Sequence, residues 1–538
     1  MRKMITYPAA FFFLSLISSN AFAQQPTVAW AARYNGPDNK VDNAREMDLD
    51  GSGNVYVTGT SATKNGSVYI ATVKYNAQGI QQWVARYSGP VSGDNYPYAL
   101  TTDANGNVYV TGRSIGNNST YDIATVKYNS SGVQQWAARY NGTANANDVP
   151  GDLKVDAAGN VFVTGLTDGQ YINNGNAIVT LKYNALGQQQ WVAKYDQLPN
   201  GPNSNSEQGN SLAIDANGNI YIVGTSAGMV TIKYGTSGQS VWVRNITNVE
   251  GRKVLIDGAN NIVVSSFNST IVKYDAGGNL IWQNNASNPS AAFWDMTLDA
   301  ADNIYVTGEC TGTNGHSDYI TGKFSSDGTQ QWLVPFNGSL NDLDFARSIA
   351  LDGAGNVYVT GRCSVANGTR TGGVNFGTVK YDNNGVQQWV QLYDSPDKSG
   401  SDAFVVLTDA ANNVYVTGAS ATKSTSYDYA TIKYSQGNGL NSTTDVLNKT
   451  RSVNFGLHNY PNPVHQNTII KYELPKDAKV KLIIYDVRGN LLATMVNETQ
   501  AAGIHTVGFS ANHLLAGTYY YRLESEGSTE TKKMIISK

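Results

Sequence analysis

One hexapeptide constrains this chain more than any other feature. Asn107-Val108-Tyr109-Val110-Thr111-Gly112 recurs as Asn54 to Gly59, Asn160 to Gly165, Asn356 to Gly361 and Asn413 to Gly418. Looser copies run from Asn219 to Gly224, Asn261 to Ser266 and Asn303 to Gly308, making eight. A second motif, Gln-Gln-Trp or a relative, also occurs eight times, at Trp30, Trp83, Trp136, Trp191, Trp242, Trp282, Trp332 and Trp389. Successive tryptophans of this set are 40 to 57 residues apart, most near 53. A fixed period of this length marks a repeat architecture, in which each unit buries its apolar face only against its neighbours.

One unit reads as four strands. Ala99 to Thr102 is the first, and Asp103-Ala104-Asn105-Gly106 is a tight turn, since Asp bonds the backbone ahead of it and Gly accepts positive φ. Asn107 to Gly112 alternates apolar and polar residues and forms the second. After a polar loop, Ser114 to Tyr121, come a third strand, Ala124 to Tyr128, a hairpin turn, Asn129 to Gly132, and a fourth strand, Val133 to Tyr140, carrying Trp136. Four-stranded meanders repeated at this period predict an all-β propeller. The leftovers support a closed ring. The chain opens on an isolated fourth strand, Thr27 to Tyr34, and its last unit supplies only three, Ala403 to Thr408, Asn413 to Gly418 and Ala430 to Tyr434. Pairing the two ends removes free sheet edges.

The unit D-x-x-G-N-V-Y-V-T-G, a loop, then A-T-V-K-Y-N-x-x-G-x-Q-Q-W, resembles the bacterial SBBP repeat over roughly residues 27–434. That resemblance implies a β-propeller. Its name implies seven blades; the motifs count about eight, with seven as the alternative because the fifth unit, Lys253 to Trp282, is short and lacks the Thr-Gly ending.

The ends of the chain carry addresses. Arg2 and Lys3, the apolar stretch Ala9 to Ile17 and Ala21-Phe22-Ala23 read as a signal peptide over 1–23, leaving a mature chain from Gln24. The apolar stretch is too short to span a bilayer. The propeller occupies 24–434, and 435–454, rich in Ser, Asn, Thr and Gly, reads as a linker. Over 455–538, strand patterns alternate with turn signals about every ten residues, which predicts a small β-sandwich. Tyr460-Pro461-Asn462-Pro463, the Tyr-Asp-x-x-Gly turn with Asp486 and Gly489, Gly-x-His-x-Val from Gly503, the Ala-Gly-Thr-Tyr segment with Gly517 and Tyr519, and the ending Lys532-Lys533-Met534-Ile535 follow in order. This string resembles the type A C-terminal sorting domain of the type IX secretion system. The resemblance implies handling by that machinery, passage across the outer membrane, and removal of the tail on release or attachment to the cell surface.

Residues suited to catalysis are scarce. Of five histidines only His316 lies in the propeller, in a polar loop, so neither a Ser-His-Asp triad nor a His-rich metal site is expected. Asp122, Asp318 and Asp428 precede the third strand in three units, and the turn acids recur in every unit, so both sets read as structural. Asp48 and Asp50 in Asp48-Leu49-Asp50-Gly51 are a weak calcium candidate; no other cofactor is expected. Cys310 and Cys363 hold equivalent places in neighbouring units, and an exported protein permits a disulfide between them. The eight motif tryptophans read as core or inter-blade packing, and so does Trp294, which lies outside the pattern. A net charge of −3 without like-charge runs argues against nucleic-acid binding.

The expected function is a secreted or surface-displayed, non-catalytic scaffold binding a protein or glycan through its variable loops, such as Leu166 to Asn176 and Ser364 to Phe376. The rival is an extracellular enzyme degrading polysaccharide or peptide, which would show acids that break the repeat and converge on one face.

Overall fold

The structure is a computed structural model. It describes residues 25–143, 145–168, 176–196, 207–340, 342–367, 370–396, 398–423, 426–436, 455, 457–474, 476–485, 491–512, 514–525 and 528–537. The signal peptide, most of the linker, Asp486 and Gly489 lie outside the described residues. Chain contacts divide the protein into two units, Met1–Gly437 and Asn438–Lys538.

The first unit contains eight four-stranded antiparallel sheets among the described residues, so the number of blades is eight. The second blade, Asn95–Thr102, Val108–Ile115, Tyr121–Tyr128 and Gln134–Tyr140, is representative. The short fifth unit forms a complete blade, Gly251–Ile256, Ile262–Ser266, Thr270–Tyr274 and Leu280–Asn285. The eighth blade joins Ser401–Thr408, Val414–Thr422 and Ser426–Ser435 to the N-terminal strand Thr27–Tyr34. That strand runs antiparallel to the third, with Thr27 opposite Ser435 and Tyr34 opposite Tyr429. Arg33 fastens it, forming an ion pair with the buried Asp428 at 3.0 Å and donating to Ser420 Oγ at 2.8 Å.

The repeated residues have repeated tasks. Asp103 accepts hydrogen bonds from the backbone N–H groups of Asn105 and Asn107, from Asn107 Nδ2 and from the Tyr109 hydroxyl. Burial alone would raise this carboxyl; those donors hold it below its ordinary value. Each motif tryptophan from Trp30 to Trp332 reaches the next blade. Trp83 Nε1 donates to Ser130 O at 3.0 Å, and Trp136 and Trp191 do the same to Ala185 and Thr236. The Trp83 ring lies between Tyr56 of its own blade and Tyr128 of the next, with centroids 6.1 and 6.5 Å away. These indoles are staples between blades.

Several expectations need correction. Asp122, Asp318 and Asp428 lie inside the third strands, not before them. Asp122 and Asp428 pair with Arg139 and Arg33; Pro335 stands where Asp318 would find its arginine. Ser364 to Phe376 is largely strand, because Val357–Asn367 and Arg370–Tyr381 extend their ladder to Asn367 opposite Arg370. No disulfide joins Cys310 and Cys363; both are free and buried. Equivalent positions of a ring are rotated copies, so the two thiols share a common orientation along it. Cys363 packs on Gly338 and Gly377, near Tyr319 of the sixth blade, whereas Cys310 belongs to a buried apolar cluster with Ala286, Ala291 and Phe293. Burial pushes the Cys310 thiol up to about 11 and Cys363 higher, which keeps both protonated and unreactive.

The second unit has a three-stranded sheet, His458–Tyr460, Asn467–Leu474 and Gly503–Ser510, and a four-stranded one, Leu491–Gln500, Ala478–Tyr485, Gly517–Ser525 and Ser528–Ile536. Side chains of both, including Ile470, Tyr472, Leu482, Tyr521 and Met534, share one core, as a small sandwich requires. The Pro461 to Pro463 segment is tied to the last strand. Asn462 Nδ2 donates to Lys533 O at 3.0 Å and its Oδ1 accepts from Ile535 N at 2.9 Å. Tyr460 projects outward, 78% exposed. Tyr519 donates to Leu515 O, and Lys532 pairs with Glu530.

Candidate functional site

The first strand of every blade contains a β-bulge at one equivalent position. Register passes from Ala44 to Glu46, skipping Arg45, and in the same way it skips Tyr98, Gly151 and Asn210. In the remaining blades the skipped residues are Arg252, Trp294, Arg347 and Phe404. A bulged residue has no cross-strand partner, and the extra residue re-aims its side chain. The first strand is the innermost of each blade, so these positions gather on the propeller axis. Around them is a cavity of about 760 Å³ lined only by first-strand residues, among them Glu46, Lys253, Trp294, Arg347 and Phe404.

Three of the skipped residues are arginines, and each lies over an aromatic residue skipped in the following blade. The Arg45 guanidinium sits 4.8 Å from the centre of the Tyr98 ring, Arg252 4.2 Å from Trp294 and Arg347 4.8 Å from Phe404. Such pairs restrain an otherwise mobile side chain. Arg347 also meets Asp402 at 3.4 Å. Among the described residues, neither Arg45 nor Arg252 has a hydrogen-bond or ion-pair partner.

The residue after the bulge does different work. Asp152 accepts from Leu212 N at 3.0 Å, and Asp295 from Ile349 N at 3.1 Å. Ser211 and Ser348 likewise accept from Val254 N and Val406 N. Each acceptor covers an inner-edge N–H of the next blade, which would otherwise stand unpaired. Asp152 and Asp295 also accept from Leu153 N and Met296 N and pair with Lys154 and Lys253, both at 3.3 Å. Hydrogen bonds and lysines thus occupy both oxygens of each carboxylate.

Glu46 is the exception. It has no hydrogen bond among the described residues. Burial pushes its carboxyl up to about 7, with Asp152 and Asp295 adding to the shift and Arg45 and Lys253 opposing it. The fold therefore favours the neutral form. Its contribution to stability is complete below the ordinary value of 4.5 and is lost as pH rises through about 7. Glu46→Gln is expected to stabilise the protein by ~1–3 kcal/mol at pH 8 and to change little at pH 5. Thermal melts at both pH values test this, and an equal shift at the two would refute it.

The calcium candidate does not assemble. Asp48 turns to the second blade, accepting from Thr102 N at 2.7 Å and Thr102 Oγ1 at 2.9 Å, while Asp50 anchors its own turn through Ser52, Asn54 and Tyr56. No group of three or more His, Cys, Asp or Glu suited to a metal occurs among the described residues. His316 is an exposed turn residue. Trp294, read from sequence as core, is 36% exposed at the cavity, because the bulge turns it out while Phe293 takes the buried place. The other axial residues were not singled out from sequence. The signal available was the one first-strand position that reads Arg, Tyr, Gly, Asn, Arg, Trp, Arg, Phe through the eight copies.

Comparison with known proteins bears on the scaffold and the tail. Residues 458–537 match the secretion system C-terminal sorting domain, and residues 82–118, 200–228 and 337–367 match the SBBP β-propeller repeat. No curated protein matches. Among solved structures, the chain is similar to BamB from Moraxella catarrhalis at 13% identity, covering 76% of this chain and 100% of that one, with a TM-score of 0.43. It is similar to the Dos1 propeller at 10% identity, covering 76% and 96%, with a TM-score of 0.48. It is also similar to PorZ of Porphyromonas gingivalis, described as an essential bacterial surface component of the type-IX secretion system, at 12% identity over 91% and 74%, with a TM-score of 0.33. The chain thus combines SBBP propeller repeats with a type IX sorting domain, which directs it to the cell surface or the extracellular space. Among the described residues, no helix is long and apolar enough to cross a membrane.

Proposed function

We propose that this exported propeller is a non-catalytic binding scaffold for a protein or glycan, and that the ligand enters the axial cavity. The observation that carries this reading is the ring of bulges. Eight blades repeat their turns and ladders, yet the one position freed from pairing differs from blade to blade, and at Trp294, Arg347 and Phe404 it lines the axial cavity. A volume of about 760 Å³ falls in the range of ligand pockets, roughly 300–1,000 Å³. On this reading the ligand is held at the axis, not by the loops between second and third strands.

The enzymatic rival gains one observation. Glu46, Asp152 and Asp295 break the repeat and line or border the cavity, and Glu46 has the raised carboxyl of a general acid. Hydrolysis by a carboxylate pair also needs a second acid with free lone pairs. Asp152 and Asp295 spend theirs on backbone N–H groups and lysines. Binding is therefore the better reading.

The test is a glycan and protein array probed with the mature chain, followed by assay of each retained ligand for new reducing ends or new amino termini. Retention without turnover, weakened at least tenfold by Trp294→Ala, is the expected result. Turnover abolished by Glu46→Gln would establish the enzyme instead. Retention untouched by Trp294→Ala and Arg347→Ala would remove binding from the axis.

A further inference from the structure

The axial ring also specifies the chemistry of its ligand, provided that the binding reading holds. The Arg45 and Arg252 guanidinium carbons stand 4.8 and 4.2 Å from the centres of the Tyr98 and Trp294 rings, which restrains both side chains before any ligand arrives. Trp294 is itself braced, edge-on to Phe267 with centroids 5.1 Å apart. The guanidinium N–H groups of both arginines have no acceptor among the described residues. A planar fork of free donors fits the two oxygens of a carboxylate, or those of a sulfate, better than any neutral group. Arg347 adds a third such guanidinium, partly neutralised by Asp402. The three stand on blades one, five and seven, at separations fixed by the ring.

We infer that the axial mouth binds an acidic oligosaccharide, its carboxylate or sulfate groups engaged by Arg45, Arg252 and Arg347. Several restrained cationic forks suit a ligand whose anions sit on a stiff frame. In a chain of acidic sugars the carboxylate is borne directly by the ring, and binding freezes few rotors. An acidic peptide must order its backbone and two or three torsions in every side chain, which costs about 1–2 kcal/mol per residue for the backbone alone. The exposed part of Trp294 and the half-buried Tyr98 and Phe404 add apolar surface of the kind on which sugar rings rest.

The experiment is calorimetric titration of the mature chain with three probes of matched length: oligogalacturonate, its fully methyl-esterified neutral form, and oligoglutamate. Oligogalacturonate is expected to bind, with affinity falling as salt rises. The double variant Arg45→Gln, Arg252→Gln should bind at least tenfold more weakly at an unchanged melting temperature. A sulfated oligosaccharide binding in place of the uronate, with the same loss in the double variant, would support the assignment through the other anion. Equal binding of the esterified form would overturn the acidic ligand and leave the axial binding role standing. Tighter binding of oligoglutamate would overturn the glycan in favour of an acidic peptide. Failure of every probe would overturn this inference, while the array above independently decides whether the axis binds at all. Should the double variant melt early, Arg45→Lys with Arg252→Lys, which keeps the charge and loses the fork, is measured instead; undiminished affinity in that variant overturns the assignment.

Discussion

A propeller lacking residues 25–40 is expected to lose cooperative melting and to aggregate when produced without its leader. The segment holds the fourth strand of the eighth blade. Its removal strips the Arg33 guanidinium from Asp428, whose carboxylate is buried, and breaking such a pair costs about 3–5 kcal/mol. It also removes the Trp30 staple to Ala77 O at 3.1 Å and the Tyr34 ring packed 5.0 Å from Tyr429. Losing a packed aromatic adds about 3–5 kcal/mol. Together these approach the whole stability of a typical domain, about 5–15 kcal/mol. The strand Ser426–Ser435 would meanwhile present an open edge to other chains. A permutant tests whether closure is responsible. Thr27 lies opposite Ser435, so Thr27–Tyr34 can be moved behind Ser435 through a four-residue turn copied from Asn129 to Gly132. That chain should regain the wild-type transition. A truncated protein melting within a few degrees of the parent would show that the ring does not depend on its first strand.

Gly132→Ala is expected to be strongly destabilising. Gly132 has φ of +81° and lies against the stapling indole, so an added Cβ would stand 2.6 Å from the Trp83 ring. Both the backbone and the packing resist the methyl group. The backbone part alone costs about 1–2 kcal/mol, and displacing a locked indole raises the total to roughly 2–4 kcal/mol. Gly66→Ala separates the two contributions. Gly66 has φ of +83° but nothing within 4 Å of the new Cβ, so this variant should lose only the backbone share. Chemical denaturation of both variants measures the difference. Equal losses would mean that the indole yields freely and that the staple contributes little.

Most of the scaffold was legible because its signals are local and repeated. The Asp103 turn, the strand Val108 to Gly112 and the tryptophans each state their task within a few residues, and eight copies average out exceptions. Closure was legible too, since an unpaired fourth strand at one end and a three-stranded unit at the other have a single economical solution. The axial site was not. A bulge is a property of two paired strands, and Trp294 beside Phe293 shows no local sign of which side chain is skipped. Hence sequence alone reads Trp294 as core, whereas the bulge exposes it. The thiols failed for a related reason. Equivalence in sequence is not proximity: in a ring it means a common orientation, with each Cys buried within its own surroundings. Glu46 was invisible because its raised carboxyl arises from burial, with Asp152 and Asp295 adding to it, and both come from blades far away in the chain.

The bulges have a consequence for how such a protein changes over generations. A residue outside the ladder can be exchanged without disturbing the register of its strand, except at Gly151, where an added Cβ would stand 2.1 Å from Gly209 O. Copying a blade copies the frame together with one more freely editable letter. New specificity can then arise by drift at single codons, in any order. Retargeting by design would follow the same route: a library randomised at Arg45, Tyr98, Asn210, Arg252, Trp294, Arg347 and Phe404 varies the recognition surface and leaves every hairpin as it was.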